Sequence, residues 1–194
     1  MLIRSVLILI SAFALQAQSQ PPKLPYIDWN ACPGEGCTYG PWTARKPTAV
    51  YNTWKQGRAI AHLVKGDKVV AVTGAVITFR PGVIRMDRDL PELNLKAGDT
   101  ILTYAYRSEG FSAVWFHGSY QSEFDISFSS PGCGGAYCAA TSIDPGRKVW
   151  WAQVKLSSGR VGWVNMNHAD FDGTCSLSAP QASSKTDFFT FSSD

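Results

Sequence analysis

The chain has 194 residues, 45% of them hydrophobic and 17% charged, with 18 Lys and Arg against 15 Asp and Glu. That composition fits one or two small globular domains and excludes a disordered or membrane-spanning polymer. The near balance of charge, with Lys and Arg scattered along the sequence, argues against nucleic acid or an anionic membrane surface as partner, because both leave basic clusters.

Arg4 precedes the apolar run from Ser5 to Leu15, and small residues follow at Ala17-Gln18-Ser19. This pattern predicts a secretory signal peptide over residues 1–19, cleaved before Gln20. The run is too short to span a bilayer, which takes about 20 apolar residues, and no later stretch is apolar enough. No cysteine stands at the cleavage point to carry a lipid. The expected product is periplasmic or secreted, without stable membrane insertion, and loss of Arg4 leaves 17 cations against 15 acids. All five cysteines lie in the exported part, where disulfides are the default.

Residues 20–43 form an N-terminal segment that opens with the proline-rich lead Gln20-Pro21-Pro22-Lys23-Leu24-Pro25, which cannot be helical and reads as an extended linker. In Ala31-Cys32-Pro33-Gly34-Glu35-Gly36-Cys37 a proline and two glycines bend the chain enough for the flanking sulfurs to meet, predicting a Cys32–Cys37 disulfide. Structural zinc sites instead pair cysteines two to four residues apart with matching His or Cys partners. From Thr48 to Val164 the residues are Val, Ile, Thr, Tyr, Phe and Trp in short runs broken by Gly, Pro, Asp or Ser, and no 3.6-residue apolar period is sustained. The chain is therefore expected to be all-β.

Leu63-Val64-Lys65-Gly66-Asp67-Lys68-Val69 and Leu95-Lys96-Ala97-Gly98-Asp99-Thr100-Ile101 share the pattern Leu-x-x-Gly-Asp-x-aliphatic, which indicates two related units. The turn signals at Arg80-Pro81-Gly82 and Leu90-Pro91-Glu92 place the boundary near residue 90, giving units at 44–90 and 91–175. The clearest hairpin runs from Trp150 through Ala152, Val154 and Leu156, turns at Ser157-Ser158-Gly159, and returns along Val161-Gly162-Trp163-Val164. Gly162 within the return strand suggests a bulge or a close backbone approach. The tail 176–194, rich in Ser and poor in aliphatics despite Phe188, Phe189 and Phe191, reads as disordered.

The hairpin Val149-Trp150-Trp151-Ala152-Gln153-Val154 with Ser158-Gly159-Arg160-Val161-Gly162-Trp163-Val164 resembles the closing half of bacterial SH3 domains, which read Trp-x-x-Val, a polar turn with Gly-Arg, then Gly-Trp-Val. The two Gly-Asp segments resemble the strand entry of the same family. The likeness spans residues 44–172 and is most specific in its last part; the first unit lacks the Trp-x-x-Val and Gly-Trp-Val blocks. It implies tandem small SH3-like barrels of five to six strands, behind a disulfide-closed N-terminal loop, with a recognition role toward a cell-envelope peptide, a cell-wall glycan or a protein.

Catalytic signals are weak. His62, His117 and His168 lie in no metal-ligand spacing, and Glu109, Glu123 and Asp125 read as solvated surface groups. No phosphate loop, serine elbow or dinucleotide fingerprint occurs, and no cofactor is expected. His117-Gly118-Ser119 followed by Ser130-Pro131-Gly132-Cys133-Gly134 resembles the His-Gly and Ser-x-Gly-Cys blocks of L,D-transpeptidases. That resemblance implies a peptidoglycan-cross-linking thiol enzyme with Cys133 as nucleophile and His117 as base. The chain departs from that pattern at Gly134-Gly135, and a Cys133–Cys138 disulfide across a tight loop is the structural alternative. Cys175 is left to pair with one of the others, with another chain, or to remain a thiol. A non-catalytic binding module is the preferred reading.

Seven tryptophans are many for this length. Alternation puts Trp150 on the Ala152 and Val154 core face and Trp151 on the opposite, exposed one. Trp151, with Trp115, Tyr104 and Tyr106, is the candidate binding surface for proline-rich peptides or sugar rings.

Overall fold

The computed structural model describes residues 20–55, 57–129 and 138–174. The expected signal peptide, Cys133, Cys175 and the tail 176–194 lie outside them. The described residues form β-strands and two single-turn 3-10 segments, Pro91–Leu93 and Ser127–Ser129, with no α-helix. The strands are β1 Tyr26–Trp29, β2 Gly40–Ala44, β3 Thr48–Tyr51, β4 Ala59–Leu63, β5 Lys68–Arg80, β6 Gly82–Met86, β7 Thr100–Ser108, β8 Phe111–Phe116, β9 Ser119–Asp125, β10 Ala140–Asp144, β11 Arg147–Lys155, β12 Val161–Asn165 and β13 Phe171–Asp172.

They make two antiparallel sheets. One is a curled half-barrel in the order β13-β2-β5-β11-β12-β3-β4, with β1 paired to the far half of β5; the other runs β10-β6-β7-β8-β9. The strands do not divide at residue 90. β11 pairs along β5 from Arg147↔Arg80 to Lys155↔Val70, so the second sheet, residues 82–144, is nested between two neighbouring strands of the first. The chain leaves the outer sheet through Pro81-Gly82 and returns through Pro145-Gly146, and Arg80 forms an ion pair with Asp144 where the two crossings meet. Two prolines with adjoining glycines suit this place, since neither crossing has to continue a strand ladder.

Apart from the β3-β4 hairpin and β1, both sheets follow one plan, in which the fifth strand returns beside the first and the order is 5-1-2-3-4. The repeated Gly-Asp turn sits at the same place in each. Gly66 and Gly98 adopt φ of 96° and 90°, a region open mainly to glycine. Their amides donate to Ala44 O and Met86 O, both at 2.8 Å. Asp67 and Asp99 accept from the amides of Val64 and Lys96, both at 2.9 Å. The ladders match as well: Gly40↔Ala71 and Phe171↔Ala44 in the outer sheet correspond to Gly82↔Thr103 and Ala140↔Met86 in the inner one.

Each sheet closes over its own core. Trp42, Val50, Leu63, Val69, Val154, Val164 and Phe171 fill the outer one; Ile84, Met86, Leu95, Ile101, Val114 and Phe128 fill the inner one. β5 shows how one sequence serves both. Residues 68–72 alternate, with Val69 and Ala71 buried and Val70 and Val72 exposed, whereas Ala75, Val76, Ile77 and Thr78 are buried in succession. That continuous stretch carries β1 on one edge and β11 on the other, and β7 packs against it. Thr78 Oγ1 donates to Tyr104 O at 2.6 Å across this junction.

The expected linker ends at Tyr26. From there the chain is a strap: β1 pairs Tyr26–Trp29 with Thr78–Ala75, the Tyr26 ring meets Tyr104 edge-on at 5.4 Å, and Asp28 is paired with Arg107 at 2.6 Å. The Cys32–Cys37 disulfide is formed. Its loop is fastened to the inner sheet by Tyr106, whose hydroxyl donates to Glu35 at 2.9 Å.

Candidate functional site

The β11-β12 hairpin has Trp151 opposite Asn165 and Gln153 opposite Trp163, so these four share the face away from Ala152 and Val164. β3 comes alongside β12 with Tyr51 opposite Trp163. This approach needs Gly162: a Cβ there would meet Val50 Cγ1 at 2.5 Å, Tyr51 O at 2.8 Å and Ile60 Cδ1 at 2.9 Å. Arg160 Nη2 donates to Ile60 O at 2.7 Å and fastens the β3-β4 hairpin from the other side.

Between that hairpin and the connection after β12 lies an open groove of about 460 Å³. Pro47, Thr48, Ala49 and Tyr51 form one wall, Asn165 and His168 the other, and Trp151 the floor. Trp151 is 6% exposed, which corrects the expectation of an open surface ring. It does face away from the core, but Tyr51 stands edge-on against it at 5.8 Å and 77°, so only part of the indole reaches the groove. Trp150 packs against the outer core as alternation required. Next to Tyr51, Trp29, Trp54 and Trp163 form a patch in which Trp29 meets each of the others at 6.3 Å, at 73° and 63°. Trp29 is 53% exposed, and Lys55 Nζ lies 5.2 Å from the Trp54 ring centre.

The other three sequence candidates lie apart from this groove. Tyr104, 1% exposed, is the centre of the cluster where the two sheets meet, and burial raises its pKa. Trp115 packs partly buried against the same cluster. Tyr106 is held to Glu35, and desolvation together with that carboxylate pushes its pKa up to about 12. Tyr26 is likewise pushed up to about 12, first by burial and then by its bond to Tyr120. The tyrosines thus tie the strap to the inner sheet. Sequence reasoning missed Trp29, Trp54, Trp163 and Tyr51. Trp163 was readable from the hairpin register, which sets it across from Gln153 on the Trp151 face; Trp29 arrives from β1 and Trp54 from the turn between β3 and β4, both far away in sequence.

His117 and Gly118 are the two central residues of the β8-β9 turn, both with positive φ, 47° and 72°. Such a two-residue turn matches the right-handed twist of a hairpin. His117 Nε2 donates to Asp99 Oδ2 at 2.8 Å. The Lys96 amide, and then His117, hold the Asp99 carboxyl below its ordinary pKa. Cys138 is disulfide-bonded, while Cys133 lies outside the described residues. Among the described residues no three His, Cys, Asp or Glu side chains are grouped to hold a metal ion, and no helix is long and apolar enough to cross a membrane.

No family model, curated protein or solved structure matches this chain.

Proposed function

We propose that this is a non-catalytic exported binding protein of two SH3-like units, one nested within the other, that recognises a cell-envelope peptide, peptidoglycan or a protein partner in the groove over Trp151. The observation that carries this reading is the groove itself, an aromatic floor between a hairpin and a turn, of a volume suited to a short extended ligand. The Gly-Arg and Gly-Trp-Val residues of the SH3 resemblance are the ones that hold its wall, through Arg160 and Gly162. The repeated 5-1-2-3-4 strand order supports two barrels of one kind. The apolar leader and the Cys32–Cys37 disulfide support an oxidising compartment.

The test is co-sedimentation of the protein with purified peptidoglycan, and NMR titration with soluble envelope peptides, for wild type, Ala49→Trp and His168→Ala. Filling the groove with Ala49→Trp is expected to abolish binding while the spectrum of the fold persists. Binding retained by both variants overturns the reading.

A second reading, a thiol enzyme acting on peptidoglycan through Cys133 and His117, draws on the carboxylate-held imidazole of His117. It requires that Cys133→Ala abolish cross-linking of peptidoglycan stem peptides; unchanged cross-linking sinks it.

A further inference from the structure

Folding sorts a nearly balanced sequence into units of opposite charge. The inner unit, residues 82–144, has four Lys and Arg against eight Asp and Glu, a formal −4; the outer unit, residues 38–81 with 145–174, has eleven against three, a formal +8. The outer sheet also presents an apolar face to solvent. Its side away from the core is the convex side of the half-barrel. Strand register lines up Pro41, Val70, Lys155 and Val161 there, straight across β2, β5, β11 and β12. Val70, Val161 and, at the β5 bulge, Val72 are each half-exposed. Two residues on from Val161, Trp163 carries the same face to Trp29 and, through Trp29, to Trp54.

Cations stand among these side chains. Lys68 precedes Val70 on the same face of β5, Lys155 lies between Val70 and Val161, and Lys55 Nζ is 5.2 Å from the Trp54 ring centre. All three lysines are exposed, and among the described residues none has a carboxylate within ion-pair distance. At the end of the face the register puts Asp172 opposite Thr43, where Arg45 holds it at 3.5 Å.

We propose that this convex face seats the protein on the surface of an anionic phospholipid bilayer. A convex face has no concavity for a small ligand, and its exposed valines leave water by entering the boundary between headgroups and acyl chains. Tryptophan favours that same boundary, where the ring is apolar and the indole N–H stays wet. The unpaired lysines meet lipid phosphates, while the acidic inner unit is repelled and turns the basic unit inward. Packing of this face against the same face of a second copy would instead set lysine against lysine. Pro41, Val70, Val72, Val161 and Trp29 do not line the groove over Trp151, so the two surfaces can be tested apart.

The experiment is flotation of the disulfide-intact exported chain with vesicles of phosphatidylglycerol and phosphatidylcholine in equal parts, and with phosphatidylcholine alone, at low and physiological salt. Sedimentation equilibrium and a polyphosphate titration run alongside. The chain is expected to float with the anionic vesicles, to weaken with salt, and to have its tryptophan emission quenched by brominated lipid. Lys68→Gln/Lys155→Gln and Val70→Gln/Val161→Gln are each expected to lower vesicle affinity about tenfold, with the thermal transition in place. Ala49→Trp, which fills the groove, is expected to float as wild type does. No flotation, equal flotation with the neutral vesicles, flotation indifferent to the valine pair, or flotation lost in Ala49→Trp overturns the proposal. Oligomers that dissociate on Val70→Gln/Val161→Gln give the face to a second copy, and polyphosphate binding that needs the lysine pair while flotation ignores the valine pair gives it to a soluble polyanion; either result overturns the bilayer as occupant.

Discussion

Replacing Gly162 with alanine places a methyl group against two side chains and a backbone oxygen of the neighbouring hairpin, at 2.5 to 2.9 Å. Side-chain ends such as Val50 Cγ1 and Ile60 Cδ1 can rotate aside; Tyr51 O cannot move without β3. Overpacking of this kind costs about 2 kcal/mol, which for a chain of this size lowers Tm by about 4–8 °C. β3 meets β12 through the single pair Trp163↔Tyr51, so the displacement falls on the groove wall formed by Thr48, Ala49 and Tyr51. The expected result is a urea transition shifted to lower midpoint at unchanged slope, with amide exchange accelerated in β3 and β4 and unaltered in β6 to β9. A variant within about 0.5 kcal/mol of wild type, or one that loosens both sheets equally, refutes the claim that this glycine is there for close approach.

The twin turns predict that Gly66→Ala and Gly98→Ala each cost about 1–2 kcal/mol, because both have open space but positive φ; in the double variant the costs add, and a large inequality breaks the structural equivalence. Tyr26 and Tyr106, with folded pKa values of about 12 against an ordinary 10.0, contribute stability that is complete below pH 10 and is lost as pH rises toward 12. Ultraviolet titration should show these two phenols ionising last, together with separation of the strap, and Tyr26→Phe should reduce the alkaline loss. Lys148 keeps intermediate exposure, but its amine is desolvated and held down to about 8, so stability should rise between pH 8 and 10.5 as the unfolded chain alone remains protonated. Lys148→Met is then expected to stabilise by roughly 1–2 kcal/mol at pH 7 and by nothing above pH 10.5. An equal gain at both pH values would show that packing, not charge, is responsible.

Local chemistry made much of the fold legible. Two-residue alternation located the β11-β12 hairpin and put Trp150 on its core side, the Pro-Gly bend located the Cys32–Cys37 loop, and the Gly-Asp echo marked two turns that prove superimposable bond by bond. Each depends on neighbours in sequence, because φ preferences, side-chain direction and short loop closure are settled within a few residues. Alternation also gave Trp151 its correct face and yet misjudged its exposure, since the cover comes from Tyr51, a hundred residues earlier in the chain.

What tertiary structure alone decided is the partner on β5's second edge. A strand carries no mark of which distant strand completes its ladder; that choice follows from closing both cores at once. Here β11 takes that edge, the second unit is nested within the first instead of following it, Tyr104 becomes the buried seam between them, and cations that look scattered in the sequence gather on the groove-bearing unit.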